Sequence, residues 1–176
     1  MPHRCIGRTQ MAFCNEIAAW SRSLSREYNR TLSLNCQNGL QAVAQRHKGQ
    51  NGCIRCGNTR SFRLSSVCLD RDLRPLFPQE ERWDYGIGVE DTGGNLVRVV
   101  WIEVHPAYPK EVIKMLNKLE WLRDLKAKYQ RWSRHHHEYY WAVPPGSGVY
   151  IPKHVPQYKK LRKSLLKGPQ KVVNVC

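Results

Sequence analysis

Acidic residues are scarce in this chain: 14 Asp and Glu stand against 29 Lys and Arg in 176 residues, a formal charge of +15 at pH 7. That balance favours a polyanionic partner through counterion release, and nucleic acid, DNA or RNA, is the simplest. Long apolar runs are missing as well. No stretch approaches the roughly 18 apolar residues of a membrane span, and Met11-Ala12-Phe13-Cys14 is followed at once by Asn15 and Glu16. A cytoplasmic protein without a membrane partner is expected. Internal repeats and low-complexity tracts are also lacking, which points to one non-repetitive core. Seven cysteines, an odd number, do not make the even framework of a small secreted scaffold. Reduced thiols are expected, and the length suffices to close one core without them.

What is present reads as an α/β domain with basic ends. Residues 1–31 carry Ile17, Trp20 and Leu24 at helical spacing, with Arg22, Arg26 and Arg30 one turn apart, and read as a basic helical arm. Leu32, Cys36, Leu40, Val43 and Ala44 predict a first core helix from Leu32 to His47, despite Gly39. Residues 62–69 predict a strand, and Pro75 and Pro78 then impose a loop. Trp83 to Val89 and Leu96 to Val104 predict a hairpin, because Gly93-Gly94 between them accepts positive φ. An apolar stripe through Val112, Met115, Leu116, Leu119, Leu122 and Leu125 predicts a helix from Pro109 to about Lys128. A strand over Glu138 to Val143 follows, a short strand over Gly148 to Ile151 is optional, and a last helix covers about 156–166. Helix, three strands, helix, strand makes a mixed four- to five-stranded sheet flanked by helices, with a core over 32–155 and a basic segment over 156–176.

The hairpin carries the chemistry. Alternation puts Glu103 and His105 on one side of their strand and Val100, Ile102 and Val104 on the other. Asp84 shares its face with Gly86 and Gly88, which predicts open space beside it. With Gly93 and Gly94 as the two loop residues, Asp84 stands directly opposite Glu103, Cβ atoms roughly 5 Å apart. Carboxylates so placed repel unless a proton or cation lies between them, and a hard ion such as Mg²⁺ or Mn²⁺ suits oxygen ligands. Asp70, Glu90 and Asp91 are further carboxylates, expected as cap and turn residues.

Arg82-Trp83-Asp84-Tyr85, then Trp101-Ile102-Glu103-Val104-His105-Pro106-Ala107, then a Lys-rich helix, resembles the signature of the PD-(D/E)XK nuclease-like superfamily over about residues 60–145. The resemblance implies a restriction-endonuclease-like core and metal-dependent phosphodiester hydrolysis, with Asp84 and Glu103 at the two metal-ligand positions. His105 occupies the place of the motif lysine. It then acts as ligand or base itself, or Lys118 or Lys114 reaches back from the next helix as a migrated lysine. A catalytically inactive nuclease-fold protein, binding nucleic acid or serving assembly in a larger complex, is the alternative.

Cys53-Ile54-Arg55-Cys56 has half the pattern of a structural Zn²⁺ site, with Cys36, His47 or Cys68 as completing ligands. His135-His136-His137 is expected at the surface. Arg82, Tyr108 and Lys110 are expected to contact nucleic acid, as are Lys159, Lys160, Arg162 and Lys163 of the tail. Lys114 and Lys118 extend the stripe begun by Lys110.

Overall fold

The computed structural model describes residues 11–46 and 53–176. The pattern through Ile17, Trp20 and Leu24 becomes the helix α1 (Ala12–Glu27), with Phe13, Ile17, Trp20 and Leu24 all buried. Spacings of four, three and four residues put these side chains on one stripe. It packs into the main core, so the described part of the expected arm is a core helix instead; residues 1–10 of that arm lie outside the described residues.

The helix expected from Leu32 to His47 is mostly absent. Leu32 N–H donates to Ser25 Oγ at 3.0 Å and Leu34 N–H to Ser21 Oγ at 3.2 Å, so hydroxyls of α1 hold this segment extended. Gly39 then takes φ 61°, which only glycine adopts easily. What remains is the short β1 (Gln37–Asn38) and α2 (Gln41–Arg46); His47 lies outside the described residues.

Beyond it come β2 (Ile54–Arg55), β3 (Phe62–Cys68), α3 (Leu69–Leu73), β4 (Tyr85–Asp91) and β5 (Leu96–Val104). After β5 the chain forms α4 (Glu111–Ala127), a 3-10 turn (Gln130–Arg134) and β6 (His137–Ala142). It closes with α5 (Pro156–Lys163), β7 (Leu166–Gln170) and β8 (Val173–Asn174). Among the described residues a six-stranded mixed sheet runs in the order β1-β3-β4-β5-β6-β7, one strand more than the upper expectation. Neighbours are antiparallel from β1 to β5, and β5–β6 and β6–β7 are parallel. The parallel step from β5 to β6 requires a crossover, and α4 supplies it. Two of the six were not expected, β1 from within the supposed first helix and β7 from the supposed basic tail, while Val149 of the optional strand makes only an isolated bridge to Ala107. Segment 156–176 is therefore part of the fold.

Both sheet faces are covered. One side packs α1, α4 and the 3-10 turn over Val99, Trp101, Tyr139 and Trp141, with Trp20, Trp101 and Trp132 meeting edge to face at 5.5–6.1 Å between ring centroids. The other side packs Ala42, Val43, Ile54 and Val173 over Ile87, Val100 and Ile102. The face of Glu103 is thus no open chemical surface. Nor do the glycines leave space: a Cβ on Gly88 would fall 2.2 Å from Phe13 Cβ, and one on Gly86 would fall 2.8 Å from the Trp101 ring. They let α1 and an indole lie against the backbone of β4.

The hairpin loop is longer than expected. Asp91 N–H donates to Asn95 O at 3.0 Å, which leaves Thr92, Gly93 and Gly94 as the loop, with Gly94 at φ 85°. A bulge then places Val89 opposite Arg98 and Glu90 opposite Leu96, leaving Val97 extra. The wider loop and the bulge cancel. From Val89 back to Tyr85, paired with Ile102, the register is the one a two-residue loop would have given.

Among the described residues four cysteines form two disulfides, Cys14–Cys36 and Cys56–Cys176, where reduced thiols were expected; Cys5 lies outside the described residues. With Cys56 bonded to Cys176, Cys53 and Cys56 do not offer two thiolates to one zinc ion, and Cys36 is likewise engaged. Cys53 and Cys68 are buried in the second core, and burial pushes the Cys53 thiol above its ordinary pKa.

A candidate carboxylate and lysine centre

Asp84 ends the loop before β4 and Glu103 sits one residue before the end of β5, so both fall at one end of the hairpin. Their side chains are 6% and 1% exposed as residues. Each reaches the other's strand: Asp84 N–H donates to Glu103 Oε2 at 3.1 Å, and Val104 N–H donates to Asp84 Oδ2 at 2.9 Å. Lys118 of α4 enters from above and donates a short, charge-assisted bond to Glu103 Oε1. The ammonium thus comes from the crossover helix and not from the strand.

Burial and the neighbouring Asp84 charge push the Glu103 carboxyl up to about 8, against the opposing pull of Lys118. One ammonium does not offset two closely spaced carboxylates at low dielectric. Because Glu103 holds its proton in the folded state well above the unfolded value, this group favours folding at low pH and loses that contribution as pH rises toward 8. We expect Tm to fall between pH 5 and pH 8.5 with a slope that Glu103→Gln flattens. Thermal melts across that range, with and without Mn²⁺, are the check; Mn²⁺ should restore more at the alkaline end, where ligation no longer displaces a proton.

His105 lies just beyond β5 and is turned away from this pair. Its Nδ1 is 3.0 Å from Pro106 O and its Nε2 3.7 Å from Glu111 Oε2, at the start of α4. Lys114 points outward to Glu81 at 3.0 Å, a contact that raises its pKa. Of the two candidate helix lysines, Lys118 is the one brought to the carboxylates.

Arg82, expected at a nucleic-acid surface, is 8% exposed and used internally. It pairs with Asp70 at 2.9 Å and donates to the backbone oxygens of Asp70, Phe77 and Glu80. The guanidinium ties α3 and the proline loop to the entry of β4, two residues before Asp84. Removing one partner of such a buried pair is costly. Arg82→Ala is expected to lower stability by about 3 kcal/mol with little change in nucleic-acid affinity, as read by urea unfolding beside a binding titration.

Of the three further carboxylates expected as cap and turn residues, Asp91 alone sits at the turn; Glu90 is buried within β4 and Asp70 lies within α3. Glu90 Oε1 accepts the Phe13 N–H at 2.9 Å at the start of α1. Asp91 takes bonds from the Asn95 backbone and side chain, and Asp70 holds Arg82. Tyr108, Lys110, Lys159, Lys160, Arg162 and Lys163 are exposed. His137 is half-buried between Trp101 and Trp132 instead of at the surface.

Sequence reasoning passed over Lys126 and Tyr139, which meet in the core at 2.6 Å. The signal lay in the α4 stripe, where Lys118 follows Met115 by three residues and Lys126 follows Leu122 by four, both on the buried side. No family model, curated protein or solved structure matches this chain.

Proposed function

We propose that the chain is a divalent-metal-dependent nuclease of PD-(D/E)XK type. The observation that carries this reading is the convergence of Asp84 and Glu103 across the end of the β4–β5 hairpin, with the Lys118 ammonium on Glu103. The element order supports it: a core helix, three antiparallel strands, a crossover helix and a parallel strand, namely α1, β3, β4, β5, α4 and β6.

The residues fit a hard cation. Burial first and then the Asp84 charge raise the proton affinity of Glu103, and a divalent ion would relieve the carboxylate repulsion more fully than a proton does. Among the described residues no cluster of three or more His, Cys, Asp or Glu side chains is poised for a metal. Two carboxylates with water and substrate phosphate suit Mg²⁺ or Mn²⁺. Such an ion would polarise the phosphate and supply a water of lowered pKa. Asp84 and Glu103 would hold it. Lys118, freed from Glu103 when the carboxylate turns to the metal, would position the attacking water or offset charge developing on phosphate. His105 is less suited to that task with its ring at Glu111. Tyr108 and Lys110, exposed just before α4, and Lys159, Lys160, Arg162 and Lys163 on α5 offer surface that would bind phosphate without choosing sequence.

The test is cleavage of labelled single- and double-stranded DNA and RNA by the full chain with Mg²⁺, Mn²⁺ or neither. Divalent-dependent cleavage supports the reading, and its absence on every substrate overturns it. A second reading, a catalytically inactive nucleic-acid-binding or assembly module on the same fold, draws on the internal engagement of the site: both carboxylates already accept backbone N–H bonds and Glu103 already holds Lys118. Binding without turnover under all these conditions would favour it.

A further inference from the structure

On the same sheet face as Glu103, but farther along β5 and β6, a cavity of about 190 Å³ opens between α4, the 3-10 turn and β6. Arg123, Lys126, Tyr129, Trp132, His137 and Tyr139 are its chemically distinctive walls. Lys126 is 5% exposed, and its Nζ donates to Tyr139 Oη at 2.6 Å. The same nitrogen lies 4.9 Å from the Trp101 ring centroid and 4.8 Å from that of Tyr139.

A buried structural lysine ordinarily meets a carboxylate, as Lys118 meets Glu103. The cavity lining around Lys126 contains none. The charged and titratable groups facing it are Arg123 on α4, Tyr129 ahead of the 3-10 turn with Glu16 of α1 bonded to it, and His137 and Tyr139 on β6. β5 contributes the Trp101 ring. His137 is not a competing proton carrier: its Nδ1 accepts the Trp101 indole N–H at 3.0 Å, so Nε2 holds the proton and gives it to Trp132 O at 2.7 Å. Burial holds this imidazole neutral, down to about 4. The two rings attract an ammonium, but burial and then Arg123 oppose it and bring the Lys126 amine down to about 7.

We propose that this cavity is a second reactive site, in which the Lys126 amine condenses with the carbonyl of a small 2-oxo acid whose carboxylate pairs with Arg123. The nitrogen lone pair adds to the carbonyl carbon, and a proton passes from nitrogen to the former carbonyl oxygen to give a carbinolamine. That hydroxyl leaves as water with a proton from the Tyr139 phenol, and the remaining N–H proton returns to the phenolate, leaving an imine. Amine plus carbonyl gives imine plus water, so no oxidant or reductant enters. The cavity volume admits a ligand of a few carbons, and Tyr139 is already within hydrogen-bond reach of the nitrogen.

The experiment is incubation of the full chain with pyruvate and cyanoborohydride at neutral pH, then peptide mapping of the reduced adduct. Lys126 should label at least about tenfold faster than the average exposed lysine, since an ordinary lysine amine is almost wholly protonated there. Arg123→Ala, at an exposed position, should slow labelling by pyruvate severalfold more than labelling by propionaldehyde, which shares only the loss of Arg123's effect on the amine; equal slowing of the two overturns the carboxylate pairing. Asp84→Asn should label like the wild type, which separates this site from the nuclease reading. Label spread evenly over surface lysines overturns the reactive amine, and equal pyruvate rates in wild type and Arg123→Ala overturn the 2-oxo acid.

Discussion

Asp84→Asn is expected to lower the proposed divalent-dependent cleavage by about 10³-fold while the proposed nucleic-acid affinity stays within a few-fold of wild type. Losing one preorganised charged group from a site that acts on developing charge typically has an effect of about 10²–10³ in turnover, and loss of a metal ligand belongs at the upper end. Affinity should persist because, on the proposed reading, phosphate binding belongs to the exposed cations on α5 and at Lys110, which this carboxamide change leaves intact. Glu103→Gln should act alike on turnover but differently on folding. It removes the group whose proton uptake makes the fold pH-sensitive, while leaving Lys118 without its anionic partner. Lys118→Met leaves no buried ammonium behind but takes the cationic partner from Glu103, so some loss of stability is expected and the fall in turnover is to be read under conditions where the melts show the variant folded. Steady-state cleavage with Mn²⁺, beside filter binding and thermal melts of each variant, distinguishes these outcomes. Full activity in both carboxylate variants would refute the catalytic reading of the hairpin.

Gly88→Ala is expected to destabilise the fold by about 3 kcal/mol or more, the range of severe overpacking. The new methyl would stand 2.2 Å from Phe13 Cβ and 2.3 Å from its Cγ, close to the root of that side chain, so no rotamer change clears it. The helix α1 itself must retreat from β4. The comparison is Gly94→Ala in the hairpin loop, where nothing lies within 4 Å and only the φ of 85° opposes the change. That variant should cost about 1 kcal/mol. Urea unfolding of the two proteins reads both; equal losses would mean that helix-to-strand contact does not limit residue 88.

The contrast shows what was legible in the sequence. Asp84 and Glu103 could be placed opposite one another because strand alternation and register are local rules, and the pairing of Tyr85 with Ile102 bears this out. The loop that was to fix that register has a different length, and the result survived because the bulge at Val97 offset it. Gly86 and Gly88 misled: a missing side chain reads as a gap until one knows that the Trp101 ring fills the first and Phe13, 75 residues before it, the second. Arg82 misled likewise, since an arginine bound to backbone oxygens of α3 and of the loop after it has no periodic mark. Leu32 to His47 shows the other limit, where helical spacing was overruled by hydroxyls of Ser21 and Ser25 that offered the backbone different partners. Lys118 could be named as a candidate because the helix after β5 must cross the sheet to reach β6, and its ammonium does meet Glu103. Lys126 was missed because the apolar stripe was read for its leucines and not for its interruptions.

The two inward lysines ride on one rigid rod. They sit eight residues apart on α4, roughly 12 Å along its axis, and each meets the sheet at a fixed rotational phase. One residue inserted between Met115 and Lys118 would turn the remainder of the helix by about 100° and swing both amines out of reach at once. Substitutions address Glu103 and Tyr139 separately; a phase change in the crossover addresses them together, so the two pockets share a single mechanical setting even where their chemistry is independent.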